Sequence, residues 1–157
     1  MWELENPIQP SYMLPPSAYL TSGPSGLTYN PGVGFQEKEE NHFLICDYRG
    51  GSANSGIWSF QMKPKGAGME MADSRQFAWG IGATDVEYSW DGRIFISDFV
   101  NGWSSHEDGR LLSLDAGEKT WRAADAASTA KIIREGFEHR SPGELANLFK
   151  QIGRAHV

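Results

Sequence analysis

The chain has 157 residues, of which 39% are hydrophobic and 12% aromatic, with 18 Gly, 8 Pro and 6 Trp; this is enough apolar material for a core, in a mixture that suits short strands and tight turns around packed rings. A formal net charge of −6, a pI near 5.2 and the lack of any Lys/Arg cluster argue against nucleic acid as a partner, because phosphate binding needs grouped cations that release counterions. The single cysteine, Cys46, excludes an internal disulfide and a multi-cysteine metal site.

From residue 1 to about residue 24 the sequence is rich in proline (Pro7, Pro10, Pro15, Pro16, Pro24) and has no clean periodicity. It reads as an extended segment crossing a surface. The opening Met-Trp-Glu-Leu-Glu-Asn-Pro lacks the charged and apolar regions of a signal peptide, and no apolar run is long enough to span a membrane.

Short β-type runs then alternate with turn signals at 27–29, 42–48, 57–62 and around 69–71, the makings of one four-strand antiparallel meander. Cys46 lies in the apolar part of the second run and reads as a buried core thiol. After a break near residue 80 the pattern recurs at 84–88, 93–98 and 109–114. Landmarks recur with it: Ile45-Cys46-Asp47-Tyr48 matches Ile96-Ser97-Asp98-Phe99, each followed by a Gly-containing loop. A period of roughly 50 to 60 residues, each unit a four-strand meander, is near what β-propeller blades show. Trp90-Asp91-Gly92-Arg93, between two β-type runs, predicts a hairpin, since Asp and Gly tolerate the positive φ of a tight turn.

After Glu118 the composition shifts to Ala, Lys, Glu and Leu. A helix is predicted over 124–137, with Ala127, Ile132 or Ile133 and Phe137 on one face and Gly136 weakening its end. A second begins at Ser141-Pro142-Gly143-Glu144, where Ser caps, Pro suits the first helical position and Glu completes a capping box. Its stripe is Leu145, Leu148 and Phe149. Two short helices bury little alone, so they are expected to stack on further helices. The last residues, from Ile152 to Val157, translate from ATC GGA AGA GCA CAC GTC, a string that resembles a sequencing adapter, and 151–157 are therefore expected to be non-native. The fold class expected is mainly β: about two four-stranded antiparallel propeller blades over 25–120, then two short C-terminal helices over 121–150.

Several segments carry a family resemblance when taken in order. They are Pro15-Pro16, Gly23-Pro24-Ser25-Gly26-Leu27-Thr28-Tyr29, the run from Phe43 to Gly51, Phe60-Gln61-Met62-Lys63-Pro64-Lys65-Gly66-Ala67, Ala83-Thr84-Asp85-Val86-Glu87 and Trp90-Asp91-Gly92. Together these resemble the closing blades of the glucose/sorbosone dehydrogenase-like propellers of large bacterial proteins that continue into HEAT-type repeats and often a c-type haem domain. The resemblance runs from Pro15 to Lys150. It implies a fragment of a six-bladed, exported (periplasmic) protein whose other blades are needed to close the ring, with pyrroloquinoline quinone and calcium in the sugar-oxidising members and haem c only in a downstream domain. The parent would oxidise sugars or polyols and pass electrons to the haem; the fragment alone would be inactive. The alternative is a non-catalytic propeller that binds carbohydrate or a partner protein.

A quinone carrying several carboxylates needs cations around it. In the soluble sugar-dehydrogenase branch one is a Lys, and the resemblance places Arg49 there. Two more come from an Arg-x-Arg-Asp-Val segment, where this chain reads Gly82-Ala83-Thr84-Asp85-Val86, without either arginine. That departure favours the binding alternative. The branch's catalytic His would lie on an earlier blade, so no catalytic residue is assigned.

The candidates are therefore Arg49 and Asp85 for cofactor and Trp103 for substrate. Arg49 joins a cation, the Tyr48 ring and flexible Gly50-Gly51, a surface suited to a carboxylate; a lone loop Arg more often pairs with a nearby Asp. Asp85 either faces the channel and orients a substrate or bonds local backbone amides. Trp103 either stacks on a sugar ring or packs between blades. Asp47 and Asp98 recur at equivalent places, which points to structure. His42, His106 and His139 show no metal spacing. Asp98, Asn101, Ser104, Ser105 and Asp108 offer oxygen ligands of the kind calcium takes, without EF-hand spacing.

Overall fold

A computed structural model describes residues 17–30, 32, 34–103 and 108–153, the last three by backbone alone. Residues 1–16, most of the proline-rich segment, lie outside it, as do Ser104, Ser105 and His106 of the oxygen-rich stretch and 154–157 of the tail.

Strands β1 (Pro24–Tyr29), β2 (Phe43–Asp47), β3 (Gly56–Lys65) and β4 (Gly68–Trp79) form an antiparallel sheet in the order β1-β2-β3-β4. Strands β5 (Ala83–Tyr88), β6 (Ile94–Asp98) and β7 (Arg110–Leu114) form a second, in the order β5-β6-β7. Each is a meander, as the alternating runs predict. Between β5 and β6 the expected hairpin is present: Ser89 N donates to Arg93 O at 2.8 Å, Gly92 N to Ser89 O at 3.0 Å, and Gly92 takes φ 87°.

The second sheet has three strands where four were expected. After Leu114 the chain turns at Asp115-Ala116-Gly117, with Gly117 N on Asp115 Oδ1 at 2.7 Å. It then runs back along the β1–β2 connection, exchanging Trp121 N to Phe35 O (2.9 Å) and Gly34 N to Trp121 O (2.8 Å). The Ala-rich sequence that follows favours helix over a fourth strand.

One apolar core lies between the sheets. Alternate residues of β2, β5 and β6 point into it: Leu44 and Cys46 from β2, Val86 and Tyr88 from β5, Ile94 and Ile96 from β6, together with Ile57 from β3 and with Leu112 and Leu114 of β7 against it. Period-two alternation in the sequence is thus the imprint of one buried face per sheet. The sheets approach closely at β1 and β5, where a Cβ on Gly26 would stand 2.5 Å from Asp85 Cα and 2.9 Å from Val86 N.

Helix α1 (Ala123–Glu135) stops at Gly136, φ 81°, so Phe137 falls beyond it and is 55% exposed. Its buried face is Ala126, Thr129, Ala130 and Ile132; Ala127, expected inside, is exposed. Small residues on that face allow close packing, which the larger-residue stripe read from sequence overlooked. Helix α2 (Pro142–Gly153) starts with the expected capping box: Ser141 N donates to Glu144 Oε2 at 2.9 Å and Glu144 N to Ser141 Oγ at 3.3 Å. Leu148 is buried, Leu145 half-buried and Phe149 exposed. No helix among the described residues is long and apolar enough to cross a membrane.

Two outcomes follow from this packing. Gly26→Ala should force β1 and β5 apart and lower stability by about 2 kcal/mol or more in urea unfolding, whereas Gly109→Ala, with no atom near the added carbon, should stay within about 0.5 kcal/mol. Burial pushes the Cys46 thiol up to about 12, so a thiol reagent at neutral pH should label it only as fast as the protein unfolds.

Candidate functional site

Asp47 closes β2 with a wholly buried carboxylate. Its Oδ1 accepts from the backbone of Ser22 (3.2 Å) and Gly23 (2.9 Å); its Oδ2 accepts from Arg49 Nε (3.0 Å) and Nη2 (2.5 Å) and from Trp58 Nε1 (3.2 Å). Asp98 closes β6 in the same way, with Oδ1 on Gly82 N (3.0 Å) and Oδ2 on Arg110 Nε (3.1 Å) and Nη2 (2.5 Å). The next residue completes each arrangement: Tyr48 N donates to Gly23 O (2.7 Å) and Phe99 N to Gly82 O (2.8 Å). A buried charge is tolerable only when its lone pairs are filled, and here charged and backbone donors fill them. Burial pushes the Asp47 carboxyl up, but Arg49, the Gly23 and Ser22 amides and Trp58 together hold it below its ordinary value.

Arg49 therefore has two of its donors fixed on Asp47, and its guanidinium lies 5.5 Å from the centre of the Trp79 ring. Trp79 in turn meets Trp58 edge-on at 6.0 Å. Trp103 is 78% exposed, yet its ring is braced edge-on by Tyr48 and by Phe99, each at 5.8 Å, and Tyr48 and Phe99 are 6.0 Å apart. This triangle joins the end of β2 to the end of β6. Beside it, Phe99 also lines a groove of about 360 Å³ with Thr84, Ser97, Asp98, Gly109 and Arg110, in which the Thr84 and Ser97 hydroxyls are bonded at 2.9 Å.

No family model, curated protein or solved structure matches this chain.

Of the three sequence candidates, Arg49 and Trp103 come together, since Trp103 packs on Tyr48 and against Gly50 on either side of Arg49. Asp85 stands across from Ser97 in the register, exposed, with Oδ1 on its own neighbour Val86 N at 2.9 Å. That is the local backbone bonding weighed against a substrate role. These residues do not fit a quinone bearing several carboxylates: the one matching cation is engaged by a buried aspartate, and the segment at β5 reads Gly82-Ala83-Thr84 with no arginine. In the oxygen-rich stretch, Asn101 Nδ2 donates to Asp108 Oδ2 at 2.9 Å and Asp98 is engaged by Arg110. Among the described residues no group of three His, Cys, Asp or Glu side chains is placed to hold a metal.

A second polar cluster escaped the sequence reading. Glu39, in a 3₁₀ turn at Glu37–Glu39, is wholly buried, with Oε2 on Ser59 Oγ (2.8 Å) and Oε1 on Arg75 Nη2 (2.7 Å). His42 is 3% exposed and touches Asp73 and Arg75. A run of four charged residues, 37–40, resembles a solvated loop; only its position before β2 hinted otherwise.

Removing one member of a buried pair costs on the order of 3–5 kcal/mol, and Asp47→Asn should do so at neutral pH in urea unfolding. Because the Asp47 carboxyl is held below its ordinary value, its contribution is present above about pH 4 and is lost as pH falls further. Unfolding free energy measured down to about pH 3 should therefore decline less steeply in Asp47→Asn than in the unaltered chain.

Proposed function

We propose that the chain is part of a propeller-type binding module for carbohydrate. The observation that carries this reading is the Trp103 ring, largely exposed to solvent while two further aromatic rings meet it in T-shaped contacts. A pyranose buries its C–H face well on a flat ring already held in place, because little side-chain entropy is lost on binding. The polar contacts that fix a sugar's orientation are at hand in the adjoining groove: two hydroxyls, from Thr84 and Ser97, and Arg110 positioned by Asp98.

The propeller part of the reading draws on the two sheets being built to one plan, with Asp47 and Asp98, Gly23 and Gly82, and Tyr48 and Phe99 in matching roles. Sheets stacked face to face with their first strands in close approach are how blades succeed one another around an axis. Sugar or polyol oxidation by a glucose/sorbosone dehydrogenase-like parent draws on the sequence resemblance alone. Binding without quinone chemistry is the reading that the engaged Arg49 supports better.

Saturation-transfer NMR against a panel of neutral hexoses and their β- and α-linked oligomers tests it. The expected result is saturable transfer to one face of the ring C–H groups, reduced at least about tenfold in Trp103→Ala, a loss of about 1.4 kcal/mol. Because Trp103 is so exposed, that variant should unfold at the same urea concentration as the unaltered chain. Equal binding by Trp103→Ala, or no saturable binding across the panel, would overturn the reading.

A further inference from the structure

The β3–β4 hairpin is longer than the sheet that carries it. Strand β2 pairs with β3 only from Gly56 to Phe60, so residues 61–65 and 68–72 pair with each other and with no third strand. In this arm the pairs Met62↔Met71 and Pro64↔Met69 alternate with Gln61↔Ala72 and Lys63↔Glu70. Since direct partners and every second residue share a face, one face is formed by three methionines and a proline, with Met69 46% exposed. Two strands alone are marginally stable in water. The orientation of such an arm depends on what holds its root.

The root is a β-bulge. Between the pairs Ser59↔Arg75 and Gln61↔Ala72, the single residue Phe60 opposes both Asp73 and Ser74, and Asp73 takes a left-handed φ of 47°. A bulge bends its strand and raises the local twist, so Asp73 sets the angle at which the arm leaves the sheet. Its carboxylate is gripped from the sheet side: Oδ2 is 2.9 Å from His42 Nε2 and 3.1 Å from Arg75 Nη1. Arg75 is itself anchored on buried Glu39 and reaches the Lys38 carbonyl at 3.4 Å.

The number of donors that His42 brings to this grip depends on its protonation. Its Nδ1 lies 3.0 Å from the Glu40 carbonyl and its Nε2 2.9 Å from Asp73, so the shortest contact at each nitrogen is to an acceptor. Only the doubly protonated ring donates at both. Gln61 Nε2, which donates to Glu40 O at 3.3 Å, stands 3.4 Å from Nδ1, and Arg75 Nη1 stands 3.2 Å from Nε2. The charged groups around the ring are Asp73 and Arg75 from β4 and Glu39 and Glu40 from the preceding turn. With the proton in place, His42 and Arg75 balance Asp73 and Glu39 in a cluster where Glu39 and His42 are shut off from water. Without it, a bare Nε2 lone pair faces the carboxylate, or a bare Nδ1 faces the carbonyl.

We propose that His42 is a proton-operated clamp on the hinge of the β3–β4 arm. Protonated, it donates to Asp73 and to the Glu40 carbonyl at once and fixes the pose of the methionine face; neutral, it loses one of those donors and its charge opposite Asp73, so the grip loosens and the arm swings. The fixed state thus lies on the acid side of the His42 titration and is lost as pH rises through it. Asp73 is ionised in both states: in the clamped one the His42 donor foremost holds its carboxyl below the ordinary range, and an Asp carboxyl without that donor is ionised at neutral pH and above.

Electron–electron distance measurements on the full chain test this, with spin labels at Ala67→Cys in the arm tip and Ser113→Cys on β7; Cys46 is wholly buried, away from the label. The expected distance distribution is narrow at about pH 5.5 and broad at about pH 8.5. Asp73→Asn and His42→Gln should be broad at both. An NMR titration of the unlabelled, unaltered chain needs no variant to fold: the His42 ring and the backbone amides of 61–72 should change with one shared midpoint. Identical distributions at the two pH values, or His42 titrating with no response in the arm, would overturn the proposal.

Discussion

A strand that ends in a buried carboxylate imposes a demand on everything near it. Asp47 and Asp98 each sit where the second strand of a sheet meets the loop, out of reach of water, and each must find four or so donors. The start of the first strand supplies backbone N–H groups and an arginine supplies a fork. That requirement ties the first and second strands together in both sheets, with the arginine coming from the following loop in one (Arg49) and from the third strand in the other (Arg110). The following aromatic, Tyr48 or Phe99, is then held in place by its own backbone bond and becomes a wall of the Trp103 platform. Structural charge and exposed aromatic surface are thus consecutive consequences of a four-residue motif.

Most of the strand framework was legible because one buried face per sheet leaves a period-two record in the sequence: Leu44 and Cys46, Val86 and Tyr88, Ile94 and Ile96 alternate with exposed or half-buried neighbours. Turn chemistry was legible at Asp91-Gly92 and cap chemistry at Ser141 with Glu144 for the same reason, that local geometry alone decides them. The lengths of β3 and β4 were not. Beyond Phe60 the hairpin has no third strand, so its faces carry Lys, Glu, Met and Pro in an order that no single burial pattern dictates. The fourth strand of the second sheet failed for a complementary reason: a repeat read from landmarks cannot see that the chain after Leu114 bonds instead to Phe35 and Gly34.

At the candidate site the division is similar. Asp47 and Asp98 announced a structural role by repeating, and the alternative reading of Arg49, pairing with a nearby Asp, is the one realised. What the sequence concealed is the cluster of Glu39, His42, Asp73 and Arg75. Its members lie up to 36 positions apart, on the link before β2 and on β4, and each alone resembles a surface residue. Only their convergence makes buried charge affordable, and convergence is a tertiary property.

The two sheets share a plan but not their spacing. Gly23 and Gly82 are 59 positions apart, whereas Asp47 and Asp98 are 51 apart. The difference lies in the link between first and second strands, which spans residues 30–42 in one sheet and 89–93 in the other. Closing the longer link costs under about 1 kcal/mol more in chain entropy. Those added residues bring Glu39 and His42 to β3 and β4. A duplicated scaffold thereby becomes chemically lopsided: one sheet carries an ionisable cluster beneath its connecting link, while its counterpart closes the same step with a tight turn.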